Sequence, residues 1–388
     1  MSLIERKSNY KLFFLTIVYL SASPLVFTFK IKTSFLILLF FLYSLYRNNI
    51  IYSSKFRVFY ILISLFLFTN IITSLYNETF VPFYYSIFFS IVCFIALQVS
   101  FNVLNLLVDK LTSIFLFLLY GSWIAFVYFQ FGGPSLFHLS NPDGRDSLFF
   151  LTTFSNTVDP FRPAGIYDEP GAFSFFICLL VILRSLTKKS FKISALLLIL
   201  GLITQSIAHF SFIIIWFLGL LFFDDSFSNV KSYKKVLTLV FTSFILVFFY
   251  LSGLFDWALN RGLYYSENPD ATGRIPALLN IYYEISGSVS KLLFGFSEGC
   301  VNRTNCYFGE NVLTPLVYGG LLASWPYYLF LFILIVIPLF NRKYYYLFGL
   351  MLLLIQRPYF LELPYSLSIC LILTFYISKP TKDLIYYE

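Results

Sequence analysis

Charged residues are unusually few in this sequence. Only 12% of its 388 residues are Asp, Glu, Lys or Arg, whereas 59% are hydrophobic and the mean hydropathy is +0.80. A water-soluble globular domain carries about a quarter charged residues, so that class of protein is excluded. The composition predicts a polytopic membrane protein, and residues 1–388 are interpreted as a single integral membrane domain.

The common catalytic motifs are absent as well. The sequence has no phosphate-cradling P-loop, no dinucleotide fingerprint, no HExxH zinc motif and no nucleophilic serine elbow. Cys300 and Cys306 share a segment without a nearby His, so a metal site there is not expected, and whether they form a disulfide stays open. We therefore expect chemistry without metal or cofactor, performed by arginine together with carboxylate or imidazole groups.

Apolar runs that match membrane spans follow one another along the chain. A membrane helix needs roughly 20 apolar residues, and short links carrying Lys and Arg separate these runs. The predicted fold class is an all-α polytopic membrane protein of about 12 transmembrane helices with both termini in the cytoplasm. The predicted spans are residues 12–29, 33–46, 56–76, 79–99, 111–131, 170–186, two legs within 193–223, then 236–256, 313–340, 344–356 and 359–378.

One apolar stretch, residues 193–223, is too long for a single span. As one helix it would measure about 45 Å, against a hydrocarbon core of about 30 Å. Its centre contains Gln205, Ser206 and His209. We predict two shorter helices that meet at a polar break, whose backbone groups must be buried in protein or face water. Two legs also bring the lysine clusters at 188–192 and 231–235 to one side of the membrane.

Two connecting segments, residues 132–169 and 257–311, are too long for simple turns, and segments of this length are usually functional. The predicted topology puts both outside the cytoplasm. It also puts 18 of the 27 Lys and Arg residues inside and nine outside, which explains the positive charge without a nucleic-acid partner. Six of the nine external cations are arginine, whereas lysine dominates inside. Because arginine binds phosphate through two parallel hydrogen bonds, this difference favours an external phosphate site.

The densest polar stretch ends the first long loop and reads Arg162-Pro-Ala-Gly-Ile-Tyr-Asp-Glu-Pro-Gly171. Arg162 is a candidate phosphate ligand, and Asp168 and Glu169 are candidate bases. Pro170 suits the first turn of a helix, so the two acids could instead be simple caps at its N-terminus. Gly165 permits a turn with positive φ that folds Arg162 over the mouth of the site.

The second long loop carries Arg261, Arg274 and Arg303. Arg274 follows Thr272-Gly273 where a helix would begin, an arrangement in which backbone N–H groups and a guanidinium can bind one phosphate together. Residues 275–293 look amphipathic and are expected to lie along the membrane surface. His209, beside the predicted break, is a further candidate base, although a buried structural histidine is the simpler interpretation.

Several of these stretches resemble segments of bacterial O-antigen polymerases of the Wzy type. Residues 162–173 resemble their R-x-x-G-x-x-x-E-P pattern, and residues 202–208 resemble the short-helix segment that follows it. Thr272-Gly-Arg274 and Leu293-Phe-Gly-Phe296 are similar to the second-loop pattern, and Val317-Tyr-Gly-Gly-Leu-Leu322 to the glycine-bearing helix start after that loop. The likeness spans most of the chain. It departs at Ile207, where many members have Arg.

The resemblance implies a metal-independent, GT-C-like glycosyltransferase of the bacterial inner membrane that acts in lipopolysaccharide biosynthesis. Its substrates would be undecaprenyl-pyrophosphate-linked repeat units at the periplasmic face, and its partners a flippase and a chain-length regulator. Glu169, Asp168 or His209 would orient or deprotonate the acceptor hydroxyl. Gly165, Pro170 and Gly273 would be structural. The pyrophosphate ligands would be Arg162, Arg274, Arg261 and Arg303.

Two other functions stay open on the sequence. An O-antigen ligase has a similar build, but ligases usually place a His in the late loop, and residues 257–311 contain none. A lipid-linked oligosaccharide flippase would usually carry charged groups near the middle of the bilayer. Apart from the polar break near residues 205–209, the predicted spans lack central charges. The polymerase is therefore the favoured function.

Overall fold

A computed structural model describes residues 57–78, 80–97, 99–140, 146–155, 161–223, 281–296, 312–340 and 363–378, together with a few isolated positions. Most of these residues are helical. Three helices, Arg57–Tyr76, Phe101–Gln130 and Thr314–Val336, are long and apolar enough to cross a membrane, and shorter apolar helices accompany them. The chain is therefore a mostly helical, membrane-embedded protein.

Except for α3 and the short α7, the helices of the described residues begin and end close to the predicted spans. They are α1 (Arg57–Tyr76), α2 (Val81–Leu97), α3 (Phe101–Gln130), α4 (Pro170–Leu186), α5 (Phe191–Gly201), α6 (Ile207–Phe223), α7 (Val289–Phe294), α8 (Thr314–Phe340) and α9 (Leu363–Ser378). The bounds of α4 are those predicted. The spans predicted at 12–29, 33–46, 236–256 and 344–356 lie largely outside the described residues, so the total of 12 and the topology stay predictions.

α3 is longer than predicted, because it begins at Phe101 rather than at residue 111. The Ser100 side chain caps it by accepting a hydrogen bond from the Val103 N–H. The added turns contain Asp109, whose carboxylate lies 2.6 Å from Lys189 Nζ. Thirty residues make a helix of about 45 Å, which exceeds the hydrocarbon core of about 30 Å, so the charged early turns extend beyond that core.

The predicted break within residues 193–223 is confirmed. α5 and α6 are separate helices joined by a 3₁₀ turn at Leu202–Thr204, after which Gln205 adopts a left-handed conformation with φ 48° and ψ 39°. The two helices fold back on each other. Phe191, at the start of α5, stacks on Trp216 of α6 with ring centroids 5.1 Å apart.

The helices form two groups that share one continuous core. α1, α2, α8 and α9 pack together, as do α3, α4, α5 and α6, and α9 contacts both α3 and α4. α4 is the central helix, since 15 of its 17 residues are buried. Hydrophobicity does not reveal this position in the sequence, because a face that meets lipid is as apolar as one that meets protein.

The first long loop contains a small β-sheet, so the all-α prediction holds for the membrane helices and is wrong for this loop. β1 (Phe137–Ser140), β2 (Asp146–Phe150) and β3 (Thr153–Ser155) form an antiparallel meander in that order. Phe137 and Phe149 face each other across β1 and β2, with stacked rings 4.6 Å apart. The overlooked signal is Asn141-Pro-Asp-Gly144, a sequence typical of a turn, which lies between β1 and β2.

Candidate functional site

Residues 161–169 connect the sheet to α4 and pack beside β3. The Phe154 N–H donates to the Gly165 carbonyl at 2.7 Å, and the Ala164 N–H donates to the Phe154 carbonyl at 2.7 Å. Gly165 has the predicted positive φ, +61°, and its N–H donates to Thr153 Oγ1 at 2.8 Å. The segment therefore extends the meander and then turns towards α4.

Aromatic side chains anchor both ends of this segment in the helix bundle. Phe161 stacks on Phe129 of α3, with ring centroids 4.6 Å apart. Tyr167 is fully buried and stacks on Phe176 of α4 at 4.7 Å. Arg162 and the two acids therefore occupy a segment that is fixed against α3 and α4.

Arg162 joins this segment to the break between α5 and α6. Its Nε donates to the Thr204 carbonyl at 3.3 Å, and its Nη2 donates to the Gln205 carbonyl at 3.1 Å. The Arg162 carbonyl in turn accepts a hydrogen bond from Ser155 Oγ at 3.1 Å. The half-buried guanidinium is thus held in a defined orientation. Two stretches that the sequence singles out, about 40 residues apart, meet at this side chain.

The break offers carbonyl groups because regular helical hydrogen bonding stops there. Backbone groups at membrane depth need partners, and side chains from other segments provide them. Besides the two bonds from Arg162, Trp123 Nε1 of α3 donates to the Leu200 carbonyl at 3.1 Å. A left-handed conformation at a residue other than glycine costs of order 1–3 kcal/mol and is common at functional sites. Gln205 has such a conformation directly beside the guanidinium.

Asp168 and Glu169 stand at the N-terminus of α4 and are both half-buried. Pro170 occupies the first turn as predicted, and Glu169 is the N-cap residue, with φ −150° and ψ 154°. The Glu169 carbonyl accepts the Ala172 N–H at 3.1 Å, but its side chain makes no capping hydrogen bond. The Glu169 carboxylate therefore does not serve as a helix cap. Its role as a base stays a prediction.

His209 lies next to the break and has no exposed surface. Its Nε2 is 2.9 Å from the Leu198 carbonyl oxygen, and its Nδ1 is 3.4 Å from Cys178 Sγ. Gly201 provides the space for the ring, because a Cβ at that position would lie 2.5 Å from His209 Cε1. These contacts favour the structural interpretation, in which His209 holds α6 against α4 and α5. They leave the two acids as the stronger candidates for the base.

A second pair of sequence motifs also meets in the structure. The Phe296 N–H donates to the Val317 carbonyl at 2.8 Å. Gly320 interrupts α8 with φ 64° and ψ −174°, and Gly295 has φ +85°. A Cβ on Gly320 would collide with the Leu293 carbonyl. The backbones of the two motifs therefore cross in direct contact, which explains the glycines in both.

The end of α1 supports this crossing with polar residues that the sequence reasoning missed. Asn77 Nδ2 donates to the Phe294 carbonyl at 2.7 Å, and Asn70 Nδ2 lies 3.4 Å from the Ala323 carbonyl oxygen. The available signal was the row Thr69, Asn70, Thr73, Ser74 and Asn77, which helical spacing places on one side of an otherwise apolar helix.

Arg184, at the other end of α4, is a buried cation that the sequence reasoning counted only towards topology. Its Nε donates to Ser194 Oγ at 3.1 Å, its Nη1 to Thr112 Oγ1 at 2.8 Å, and its Nη2 to the Ser190 carbonyl at 3.1 Å. The side chain therefore ties α4 to α3 and to the start of α5. Its position, 14 residues after Pro170, separates this structural cation from the candidate site.

Several predicted site residues lie outside the described residues, namely Arg261, Gly273, Arg274 and Arg303, as do Cys300 and Cys306. Within the described part of the chain, no group of three or more His, Cys, Asp or Glu side chains is arranged to hold a metal ion. No protein-family model, curated protein or solved structure matches this chain.

Proposed function

We propose that this protein is a membrane-embedded glycosyltransferase that polymerises undecaprenyl-pyrophosphate-linked O-antigen repeat units at the periplasmic face of the bacterial inner membrane. The observation that carries the proposal is the pair of hydrogen bonds from Arg162 to the Thr204 and Gln205 carbonyls. They join the R-x-x-G-x-x-x-E-P stretch to the segment that follows it in the polymerases it resembles. Two motifs that serve one site are expected to touch in this way.

The proposed glycosyl transfer requires a cation and a base. The acceptor sugar hydroxyl attacks the anomeric carbon of the donor, the bond from that carbon to pyrophosphate oxygen breaks, and undecaprenyl pyrophosphate leaves as an anion. Arg162 would stabilise the charge that develops on the pyrophosphate, because its planar guanidinium matches phosphate oxygens. Glu169 or Asp168 would accept the proton of the attacking hydroxyl. Further pyrophosphate ligands would come from Arg274, Arg261 and Arg303.

The location of the acids suits a lipid-linked substrate. Pro170 begins an apolar helix of 17 residues, which is about 25 Å long. A membrane-crossing α4 would bring the acids that precede it near the boundary of a hydrocarbon core of about 30 Å. A polyprenyl carrier keeps its chain in the core and its pyrophosphate at that boundary, which is where Arg162 and the two acids would meet it.

The lipopolysaccharide banding pattern of a deletion strain tests the proposal. The strain is complemented with the wild type, Arg162→Ala, Arg162→Lys or Arg57→Ala. Arg57 is exposed at the start of α1, so it is a matched arginine control away from the loop segment. We expect the wild type and Arg57→Ala to restore long polymer. Arg162→Ala should leave core bearing one repeat unit, and Arg162→Lys should restore little because lysine lacks the planar fork.

Stability must be measured alongside, because Arg162 also holds the loop to the helix break. Lost polymer with unchanged membrane level and melting temperature in detergent supports phosphate binding. If polymer is lost and the melting temperature also falls, the role of Arg162 is structural. Normal polymer length in Arg162→Ala would contradict the proposal. In the deletion strain itself, bare core with accumulated lipid-linked glycan would identify a ligase. Repeat units stranded on the cytoplasmic face would identify a flippase.

A further inference from the structure

Residues 281–296 of the second long loop form a compact segment whose inner face is fixed on α8. Residues 281–286 are helical and α7 follows them. Ile281 is fully buried and forms a small apolar cluster with Phe296 and Val317, the latter on the first turns of α8. The segment is therefore held in one orientation, and its outer face can be assigned.

The outer face of this segment combines exposed aromatic and apolar side chains with Ser286 and Ser290. Tyr282 is 65% exposed, Tyr283 is 67% exposed and Val289 is 73% exposed. Two aromatic side chains of the neighbouring element are also largely exposed, namely Tyr76 at the end of α1 and Phe80 just beyond it. The segment and the helix end beside it therefore both present exposed aromatic side chains.

The contact with α1 relates the depth of this surface in the membrane to the end of that helix. The Phe294 ring stacks on Tyr76, the last residue of α1, with centroids 4.2 Å apart, and the Phe294 carbonyl accepts the Asn77 hydrogen bond. α1 is one of the three helices long and apolar enough to cross the membrane. A membrane-crossing α1 would have its end at the boundary between hydrocarbon and headgroups, and would bring residues 281–296 to that boundary.

The charges of the segment are satisfied internally. Lys291 Nζ forms an ion pair with the Glu284 carboxylate and lies 5.5 Å from the centre of the Phe296 ring. Both charged side chains are only partly exposed. The segment therefore has no net charge from this pair with which to attract anionic lipids, and its attraction to a membrane must come from apolar and aromatic groups.

We propose that residues 281–296 are an interfacial anchor, which lies in the headgroup region of the bilayer with Tyr282, Tyr283 and Val289 in contact with lipid. Tyr is suited to this place, because its ring is apolar and its hydroxyl can remain hydrated. The partner is the lipid surface next to the end of α1. Attachment does not depend on anionic lipid, since Glu284 neutralises Lys291. This anchor is independent of the proposed glycosyl transfer.

Fluorescent probes on the full-length protein test the anchor. Single cysteines replace Tyr283 or Val289 in a Cys300→Ser, Cys306→Ser background, where the remaining Cys93, Cys178 and Cys370 are buried. The environment-sensitive label is read in phosphatidylcholine vesicles, with and without phosphatidylglycerol, against iodide in water and nitroxide on lipid headgroups. Two reference probes are read in the same way. Phe117→Cys, on the exposed side of α3, is the reference for a lipid environment, and His138→Cys, exposed in β1, is the reference for water.

At both test positions we expect blue-shifted emission, strong quenching by headgroup nitroxide and a loss of iodide quenching relative to the probe at 138. The signal should be the same with and without phosphatidylglycerol and should not respond to salt. Iodide quenching equal to that at 138 would overturn the proposal, because the segment would then lie in water. Lipid quenching that appears only with phosphatidylglycerol, or that salt reverses, would also overturn it. Two labelled positions guard against one substitution that fails to fold.

Discussion

At the scale of single residues, the carboxylate of Glu169 can be changed without removing a cap from α4. Glu169 is the N-cap residue but does not cap with its side chain. An amide at this position should therefore leave the helix start intact while removing a base. General-base catalysis contributes about 10²–10⁴-fold to a rate, which sets the size of the expected effect.

We expect Glu169→Gln to lower the kcat of polymerisation by about 10²-fold or more while the protein remains folded, which its melting temperature in detergent checks. The measurement is the initial rate of chain extension on purified lipid-linked repeat units, with kcat and KM determined separately. Asp168→Asn is the matched variant one residue away. A rate loss confined to Asp168→Asn would transfer the base role to Asp168, and full activity in both variants would contradict a carboxylate base.

Gly201 is a second position at which one added carbon atom is expected to lower stability. Its hypothetical Cβ would lie 2.5 Å from His209 Cε1 and 3.3 Å from Ile177 Cδ1. The imidazole cannot easily move away, because Leu198 fixes its Nε2. We expect Gly201→Ala to lower the free energy of unfolding by about 1–3 kcal/mol, the usual cost of overpacking. The melting temperature in detergent measures it, with Gly287→Ala as control because its Cβ would meet nothing closer than 3.7 Å.

A double variant identifies the cause of that loss. His209→Ala removes the ring that the new methyl group would strike, so Gly201→Ala should cost less in its presence than in the wild type. Residues in contact commonly show such coupling, of about 0.5–3 kcal/mol. Strictly additive losses would mean that the collision with His209 is not the source of the effect.

At the scale of helices and strands, the crossing of α8 with residues 293–296 depends on glycine for two separate reasons. Gly320 combines φ 64° with ψ −174°, a region that is essentially restricted to glycine. Its missing side chain also admits the Leu293 carbonyl. Gly132, by contrast, has φ +80° but no atom within 4 Å of a hypothetical Cβ. The two positions therefore separate backbone strain from backbone contact.

We expect Gly132→Ala to cost about 1–2 kcal/mol, the penalty of positive φ alone. Gly320→Ala should cost clearly more, because the carbonyl cannot be moved without separating α7 from α8. Membrane level and melting temperature in detergent provide the comparison. Equal effects at the two glycines would argue against the crossing.

The same elements show what a sequence can predict about this fold. The bounds of α4 and the break near Gln205 follow from apolar length and from polar residues that a single helix could not hide. The central burial of α4, the bond from Arg162 to the break and the glycine crossing do not follow. They depend on which apolar surfaces meet protein rather than lipid, and both kinds of surface look alike in sequence. The meander was missed although Asn141-Pro-Asp-Gly144 is a local signal for it.

At the scale of the whole molecule, the two motif pairs are assembled on different helix groups. The Arg162 segment contacts α3, α4 and the break between α5 and α6, whereas the crossing at Gly320 contacts α1 and α8. A common active site formed with both loops requires these two places to face the same side of the membrane. The predicted topology satisfies this requirement, because it puts residues 132–169 and 257–311 outside and the link at 187–192 in the cytoplasm.

Cysteine accessibility in intact cells tests that arrangement directly. His138→Cys, Asn268→Cys and Lys192→Cys are placed in the Cys300→Ser, Cys306→Ser background; positions 138 and 192 are exposed, and position 268 lies in the second long loop outside the proposed anchor. A membrane-impermeant maleimide should label the first two in intact cells, because both belong to loops that are predicted to be external. Position 192 should react only after the inner membrane is opened, since the lysines around it follow the positive-inside rule. Labelling of position 192 in intact cells would invert the topology. If only one of positions 138 and 268 were labelled in intact cells, the two loops would lie on opposite sides of the membrane and could not share a site.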